Sequence, residues 1–351
     1  MGDFFIVMGC GILGLMAHGA TTRPWLEWTL RFIIVLTFIG EGLIAAGALV
    51  DSGPNPWQSG VSIGTAVATG ICLVFYGRKI YSAVFSFLDN IFSGAAAIAL
   101  YKKLSVQDVF TKIHVFLPNS IPHMVALFIY ITTFATLLGA VDPDSLLGGG
   151  ADGIKMPSLP LPVPVPIDTL FSYNGLGLVM LSFCGVGIFV KRDFKTVLDR
   201  LGWKKPSGKQ VAIGLGLVVF SFAYDYLWSL YTHNTGQDMA TKLAVYNSGT
   251  FSVVGGADKS LILALATAIF AGVGEETLIR GALQPVFGIF PAALLHGILH
   301  AQFSHAPILI IQVALWSCVM GLVRKYTNTT TTIIGHAGFN FLTTFLFSFN
   351  P

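Results

Sequence analysis

Long apolar runs recur along the whole chain, and they constrain its fold more than any other feature. A hydrocarbon core of about 30 Å is crossed by roughly 20 residues of apolar helix. Lipid offers no hydrogen-bond partners, so a spanning segment must satisfy its own backbone. The approximate bounds of the runs are 4–19, 28–50, 60–77, 120–141, 170–190, 211–231, 259–279, 289–303, 306–323 and 331–349. The sequence therefore predicts an all-α, polytopic transmembrane helical bundle of about 8–10 membrane helices.

The composition agrees with a membrane protein and argues against a nucleic-acid partner. The 351 residues are 54% hydrophobic and only 11% charged, whereas soluble domains are about 25% charged. The net charge of +3 is small, and the basic residues cluster in short loops instead of forming a basic face. The four cysteines lie within apolar runs without a CxxC motif, which argues against a disulfide framework or a cysteine zinc site.

Basic residues in the short loops predict the orientation of the bundle. The most basic loop, 191–209, is expected to be cytoplasmic; its cations are Lys191, Arg192, Lys195, Arg200, Lys204, Lys205 and Lys209. Counting helices outward from it places the 142–169 and 232–258 loops on the opposite side. The stretch 80–101 has basic residues at both ends, which favours a helix lying at the cytoplasmic interface.

A Gly/Pro-rich segment divides the chain into two regions. Residues 142–167 contain Gly148–Gly150 followed by a series of prolines, a composition that favours extended, irregular backbone. We interpret this segment as a non-cytoplasmic linker. It separates an N-terminal membrane-helical region of unknown role, 1–141, from a C-terminal helical region, 168–351.

Two adjacent glutamates and an arginine occur at the end of the apolar run 259–279. Ionised side chains within a bilayer cost roughly 2.5–3.5 kcal/mol each and tend to mark function. Glu276 and Arg280 are four residues apart, so on a helix they share a face and can pair. Glu275 lies about 100° round the helix, where it can face a substrate or a water molecule. The alternative is that the helix meets the interface here, with Arg280 extending to water.

Histidines and an asparagine interrupt the later apolar runs at helical spacing. His296 and His300 are four apart, as are His336 and Asn340. Each pair alone is compatible with a polar packing contact between helices. Together with the glutamates they supply what peptide hydrolysis requires, namely a carboxylate that deprotonates water and donors that stabilise the oxyanion.

These motifs resemble those of the CPBP family, which comprises type II CAAX prenyl endopeptidases and the bacteriocin-processing or self-immunity proteins also called the ABI family. The Glu-Glu-x-x-x-Arg motif is matched at 275–280 and the His-x-x-x-Asn motif at 336–340. In the Phe-x-x-x-His motif, His300 matches the histidine, but His296 stands where phenylalanine is usual. The resemblance covers roughly 170–351.

The resemblance implies an intramembrane protease in which Glu275 activates water, near the cytoplasmic side. The implied catalytic residues are Glu275, Glu276, Arg280, His300, His336 and Asn340. Zinc, if used, would be bound by Glu275, His300 and His336. The implied substrate is a peptide or membrane protein, with or without a prenyl group, presented from the surrounding lipid.

Three alternatives remain open from the sequence. An aspartyl intramembrane protease would use Asp225 and Asp258, but Ala257 occupies the position where the Gly-x-Gly-Asp motif requires glycine. A membrane scaffold or immunity-type protein would keep the fold without proteolysis. A transporter would use Glu275 and His300 as a proton relay.

Overall fold

Helices make up nearly all of the described structure, and no β-strand occurs within it. The computed structural model describes residues 2–50, 56–75, 120–141, 175–233, 260–300 and 307–347. The helices in these ranges are α1 (Gly2–Ala20), α2 (Pro24–Val50), α3 (Pro56–Phe75), α4 (Ile121–Gly139), α5 (Leu176–Gly185), α6 (Phe194–Leu201), α7 (Gly208–His233), α8 (Ser260–Glu276), a π-helix (Thr277–Leu283), α9 (Gln284–Phe287), α10 (Ile289–Leu299), α11 (Pro307–Tyr326) and α12 (Thr329–Phe347). The predicted all-α fold is confirmed.

Four of these helices are long and apolar enough to cross a membrane. They cover Pro24–Gly47, Ile121–Gly139, Gly208–Trp228 and Ile308–Tyr326. Each matches a predicted run, and their exposed apolar side chains suit contact with lipid. The predicted interfacial helix, 80–101, and the predicted linker, 142–167, lie outside the described residues. The division at the linker stays a prediction.

The chain forms two compact units. One contains residues 13–139 together with 285–288. In this unit α3 packs against α2 and α4, and the indole of Trp57 donates a hydrogen bond to the carbonyl of Leu138 over 3.0 Å. Leu30 and Val125 are buried in its core.

The other unit contains residues 1–12, 140–284 and 289–351, and it holds every residue of the predicted site. Its helices approach closely at glycines. A Cβ at Gly272 on α8 would lie 2.8 Å from the Cβ of Ala337 on α12, and a Cβ at Gly297 on α10 would lie 2.6 Å from the carbonyl oxygen of Ile310 on α11. Small residues let apolar helices pack tightly where lipid provides no hydrophobic driving force. These contacts bring the site-bearing helices together.

A short amphipathic helix, α6, packs against the π-helix in this unit. Asp193 begins it by accepting a hydrogen bond from the backbone N–H of Thr196 over 2.7 Å, and hydrogen bonding by Thr196 lowers the pKa of the Asp193 carboxyl. Gly202 ends it with a left-handed φ of 77°, a conformation that favours glycine. Val197 and Leu201 on its inner face are fully buried. The helix is therefore fixed at both ends and packed on one side.

Candidate active site

The two glutamates lie where α8 gives way to the π-helix, and they differ in exposure. The side chain of Glu275 is 14% exposed, whereas that of Glu276 is fully buried. In a π-helix each backbone hydrogen bond links residues five apart instead of four, which widens the helix. Such turns occur frequently at functional sites. The structure therefore separates one glutamate that solvent reaches from one that it does not.

Glu276 pairs with Arg280 in the protein interior, as the i,i+4 spacing predicts. The Nε of Arg280 lies 3.4 Å from Oε2 of Glu276, and the arginine side chain is 1% exposed. The other carboxylate oxygen, Oε1, accepts a hydrogen bond from Nδ1 of His336 over 3.0 Å. Glu276 thus joins the π-helix to α12.

Glu275 makes its contact with His296 on α10. Nε2 of His296 lies 2.8 Å from Oε2 of Glu275, and Nδ1 lies 3.1 Å from Oγ of Ser317 on α11. A carboxylate only accepts hydrogen bonds, so the Nε2–H donates to Glu275 and the Ser317 hydroxyl donates to Nδ1. His296 is completely buried. It therefore orients the partly exposed glutamate.

His300 follows the last residue of α10 and completes a compact group with Glu275 and His296. Its Nδ1 donates to the carbonyl oxygen of His296 over 2.9 Å, which places the proton on Nδ1 and the lone pair on Nε2. The ring centroids of the two histidines are 5.2 Å apart. The three side chains are therefore close neighbours.

A buried tryptophan on α11 contacts two of the imidazoles. The Trp316 ring meets His336 edge-on at a centroid distance of 4.9 Å and lies 5.9 Å from His296. Its Nε1–H donates to Oγ of Ser221 on α7 over 2.8 Å. Sequence reasoning missed Trp316 and Ser317, because a tryptophan and a serine in an apolar helix give no signal beyond ordinary packing.

The residues suited to a metal differ from the set that the sequence predicts. Glu275, His296 and His300 each offer one possible ligand atom, and these three atoms lie within 4.8 Å of one another. His336 is instead hydrogen-bonded to Glu276, which explains why it does not join them. A carboxylate and two imidazoles suit zinc in kind and number, and Ser317 would support His296 from behind. The 2.8 Å contact between Glu275 and His296 is a direct hydrogen bond, shorter than the roughly 3.3 Å between ligand atoms on tetrahedral zinc.

Asn340 lies one turn beyond His336 on the same face of α12, partly exposed. By contrast, Asp225 of the alternative aspartyl site accepts a hydrogen bond from Gln312 over 2.9 Å, a polar contact between α7 and α11. Asp258 lies outside the described residues. The contacts described above thus join the two glutamates and the three histidines, whereas Asp225 contacts Gln312; the role of Asn340 stays a prediction.

Two contacts from α6 and the residues after it hold the π-helix in place. The guanidinium of Arg200 donates to the carbonyl oxygen of Gly281 over 3.0 Å, and the indole of Trp203 donates to Oγ1 of Thr277 over 3.0 Å. Burial, with a smaller effect of the charges of Arg192 and Arg324, lowers the pKa of Arg200 to about 10, so the side chain stays cationic at neutral pH. The basic loop is thus attached directly to the helix that comes after the two glutamates.

These features define an all-helical integral membrane protein with a buried ionisable cluster built from α8, the π-helix, α10, α11 and α12. Residues 257–342 match the family model described as type II CAAX prenyl endopeptidase Rce1-like. The match includes every predicted site residue and confirms the resemblance to the CPBP family over this part of the chain, which is less than half of its 351 residues. No curated protein and no solved structure matches the chain.

Proposed function

We propose that the protein is an intramembrane endopeptidase in which Glu275 deprotonates the attacking water. The observation that carries the proposal is the contrast between the two glutamates: Glu275 is partly exposed and held by His296, whereas Glu276 is buried in an ion pair. A general base must reach the proton that it abstracts. Glu275 satisfies this requirement and Glu276 does not.

Glu276 and Arg280 act as positioning residues in this proposal. Glu276 contacts the guanidinium of Arg280 and the imidazole of His336, so it fixes the orientation of the ring on α12 relative to the end of α8. Rigid placement of catalytic groups accounts for much of the rate enhancement in enzymes. Loss of either residue would therefore displace groups that touch the substrate.

His300, His336 and Asn340 are the candidate donors to the oxyanion. The amide of Asn340 donates at any pH. Each imidazole can donate through Nε2 only when that nitrogen carries a proton. Such donors, pre-oriented in a site that excludes water, stabilise developing negative charge far better than solvent does. Asn340 and His336 share one helix face, as the i,i+4 spacing requires.

A zinc-dependent variant of this proposal uses Glu275, His296 and His300 as the ligands. Bound there, the ion would polarise a water molecule and lower its pKa. His296 would then carry its proton on Nδ1 and offer the lone pair of Nε2 to the ion. The Ser317 hydroxyl would accept the hydrogen bond from Nδ1–H instead of donating to Nδ1, since a hydroxyl can do either. Glu276 and Arg280 keep their positioning roles in either variant, and His336 stays a candidate donor to the oxyanion.

The proposed substrate is a peptide or membrane protein whose scissile bond reaches the cluster from the lipid. The family description points to prenylated C-termini, and the basic loop 191–209 points to a cytoplasmic opening. A membrane scaffold of the same fold without turnover is the second candidate. A proton-coupled transporter using Glu275 and His300 is the third.

The test is cleavage of a prenylated CAAX peptide and of a non-prenylated counterpart by the purified protein in nanodiscs. Wild type is compared with Glu275→Ala and His336→Ala, and with Asp199→Asn as a matched control on α6. We expect turnover by wild type and control and its loss in both site variants. Equal behaviour of all four proteins would contradict the proposal, and proton-coupled uptake of a solute would replace it with transport.

A further inference from the structure

The loop between α5 and α6 holds a phenylalanine in a strained backbone conformation. Phe189 has a φ of 59°, a region that bulky residues rarely adopt. Its N–H donates to the carbonyl oxygen of Arg192 over 2.8 Å, and the N–H of Lys191 donates to the carbonyl oxygen of Gly187 over 2.8 Å. The strain is thus built into a tight hydrogen-bonded loop. An outlier of this kind points to function when glycine would fit at lower cost.

The strained loop exposes apolar side chains next to cations. Phe189 is 82% exposed, Val190 51% and Phe194 52%. Lys191 follows Val190 directly and Lys195 follows Phe194 directly; both lysines are exposed, as is the acidic Asp193 between them. Apolar side chains that flank exposed lysines are typical of a surface that lies in a membrane interface, with the rings at the acyl boundary and the cations among the headgroups.

The position of this surface in the chain fits the edge of a bilayer. The apolar helix α5 ends at Gly185, and the candidate membrane span Gly208–Trp228 begins shortly after α6. The buried side chains of Val197 and Leu201 face the bundle, which leaves the opposite face of α6 outward. Lys204 and Lys205 after the helix are also exposed. The loop therefore lies between a short apolar helix and a candidate membrane span.

We infer that residues 186–195, with Lys204 and Lys205, form a binding surface for anionic phospholipid. Phe189 and Val190 insert below the headgroups, and the lysines contact the phosphates. The positive-inside rule places this loop at the cytoplasmic leaflet, whose anionic lipids attract basic segments next to the membrane. Nothing in peptide hydrolysis requires the surface, so it goes beyond the proposed function.

The first experiment measures lipid retention by the full-length protein. The protein is released from nanodiscs of phosphatidylcholine mixed with phosphatidylglycerol, and bound lipids are counted by native mass spectrometry. Lys191→Gln/Lys195→Gln is compared with Arg23→Gln/Lys325→Gln, which removes the same charge from the turn before α2 and from the last turn of α11. We expect the preference for phosphatidylglycerol to fall about tenfold in the first variant and to persist in the second. Equal preference in both variants would overturn the inference.

The second experiment separates lipid binding from folding. Phe189→Gly relieves the strained φ, so we expect an unchanged or higher Tm in detergent, together with faster hydrogen exchange of residues 186–192 in anionic nanodiscs. Wild type should be protected there in anionic nanodiscs and less so in pure phosphatidylcholine. Unfolding of Phe189→Gly, or exchange that is independent of lipid composition, would show that Phe189 is a packing residue and would overturn the inference. Peptidase turnover, measured in parallel, reports on the proposed function separately.

Discussion

His296 donates a hydrogen bond from Nε2 to Oε2 of Glu275 over 2.8 Å, although the family motif usually has phenylalanine at this position. Histidine in place of phenylalanine puts a polar ring in the wall of the site. The Ser317 hydroxyl is hydrogen-bonded to the other nitrogen of that ring, Nδ1. A buried imidazole held at both nitrogens is rigid. The carboxylate of Glu275 is therefore oriented by a residue that a phenylalanine could not replace.

Replacing Glu275 by glutamine tests its role as base. The amide oxygen still accepts the hydrogen bond from His296, but the residue no longer takes up a proton, so we expect kcat for peptide cleavage to fall about 10²- to 10⁴-fold. The Tm should stay close to that of wild type. A variant that retains full turnover would exclude Glu275 as the base.

The histidines that gather around Glu275 predict a pattern of metal retention. If zinc binds, His296→Ala and His300→Ala should lose it, whereas His336→Ala should keep it, because His336 contacts Glu276 instead. The measurement is zinc per protein by inductively coupled plasma mass spectrometry after dialysis against a weak chelator. Loss of zinc in His336→Ala alone would favour the ligand set expected from sequence. Activity without zinc would favour the metal-free mechanism.

Breaking the ion pair between Glu276 and Arg280 should destabilise the fold strongly. Both side chains are buried, and removing one partner leaves an uncompensated charge, which costs about 3–5 kcal/mol. We expect Arg280→Met to lower the Tm in detergent and Glu276→Gln/Arg280→Met to recover part of the loss.

The partly exposed pair between Glu27 and Arg31 provides the matched control. It has the same spacing and a 2.7 Å contact, but the side chains are 31% and 29% exposed. Arg31→Gln should therefore change the free energy of unfolding by only about 0.3–0.5 kcal/mol. Similar losses for the two pairs would show that burial does not set the cost.

Gly202→Ala should loosen the contact between α6 and α12. Gly202 has a φ of 77°, and an added Cβ would lie 2.7 Å from Oγ1 of Thr329 and 3.2 Å from its backbone nitrogen. We expect a loss of about 1–3 kcal/mol in unfolding free energy. Gly216→Ala, where a Cβ meets no atom within 4 Å, should be neutral or slightly stabilising. An equal effect at both positions would contradict the steric argument.

Local spacing predicts part of the site, and long-range packing determines the rest. The pairing of Glu276 with Arg280 follows from their separation along one helix, and the apolar runs predict the membrane helices. The partner of His336 depends on how α12 packs against α8, which no short motif encodes. Likewise, Ser317 contacts His296 where Gly297 lets α10 approach α11 closely, and Trp316 contacts His336 across the packing of α11 and α12.

The π-helix Thr277–Leu283 also bears on how the site tolerates insertion and deletion. It carries about one more residue per turn than an α-helix, as if a single residue had been added to a regular helix. Deleting one residue between Arg280 and Leu283 would restore α-helical winding, and the two changes nearly cancel, so the downstream helices would stay close to their present orientation. Gln284, which now donates to the carbonyl of Gly321 over 2.8 Å, would keep that contact. A deletion within α8 has no wide turn to absorb it and would rotate the two glutamates by about 100° relative to the residues before it. The protein should therefore tolerate loss of a residue better in the π-helix than in α8.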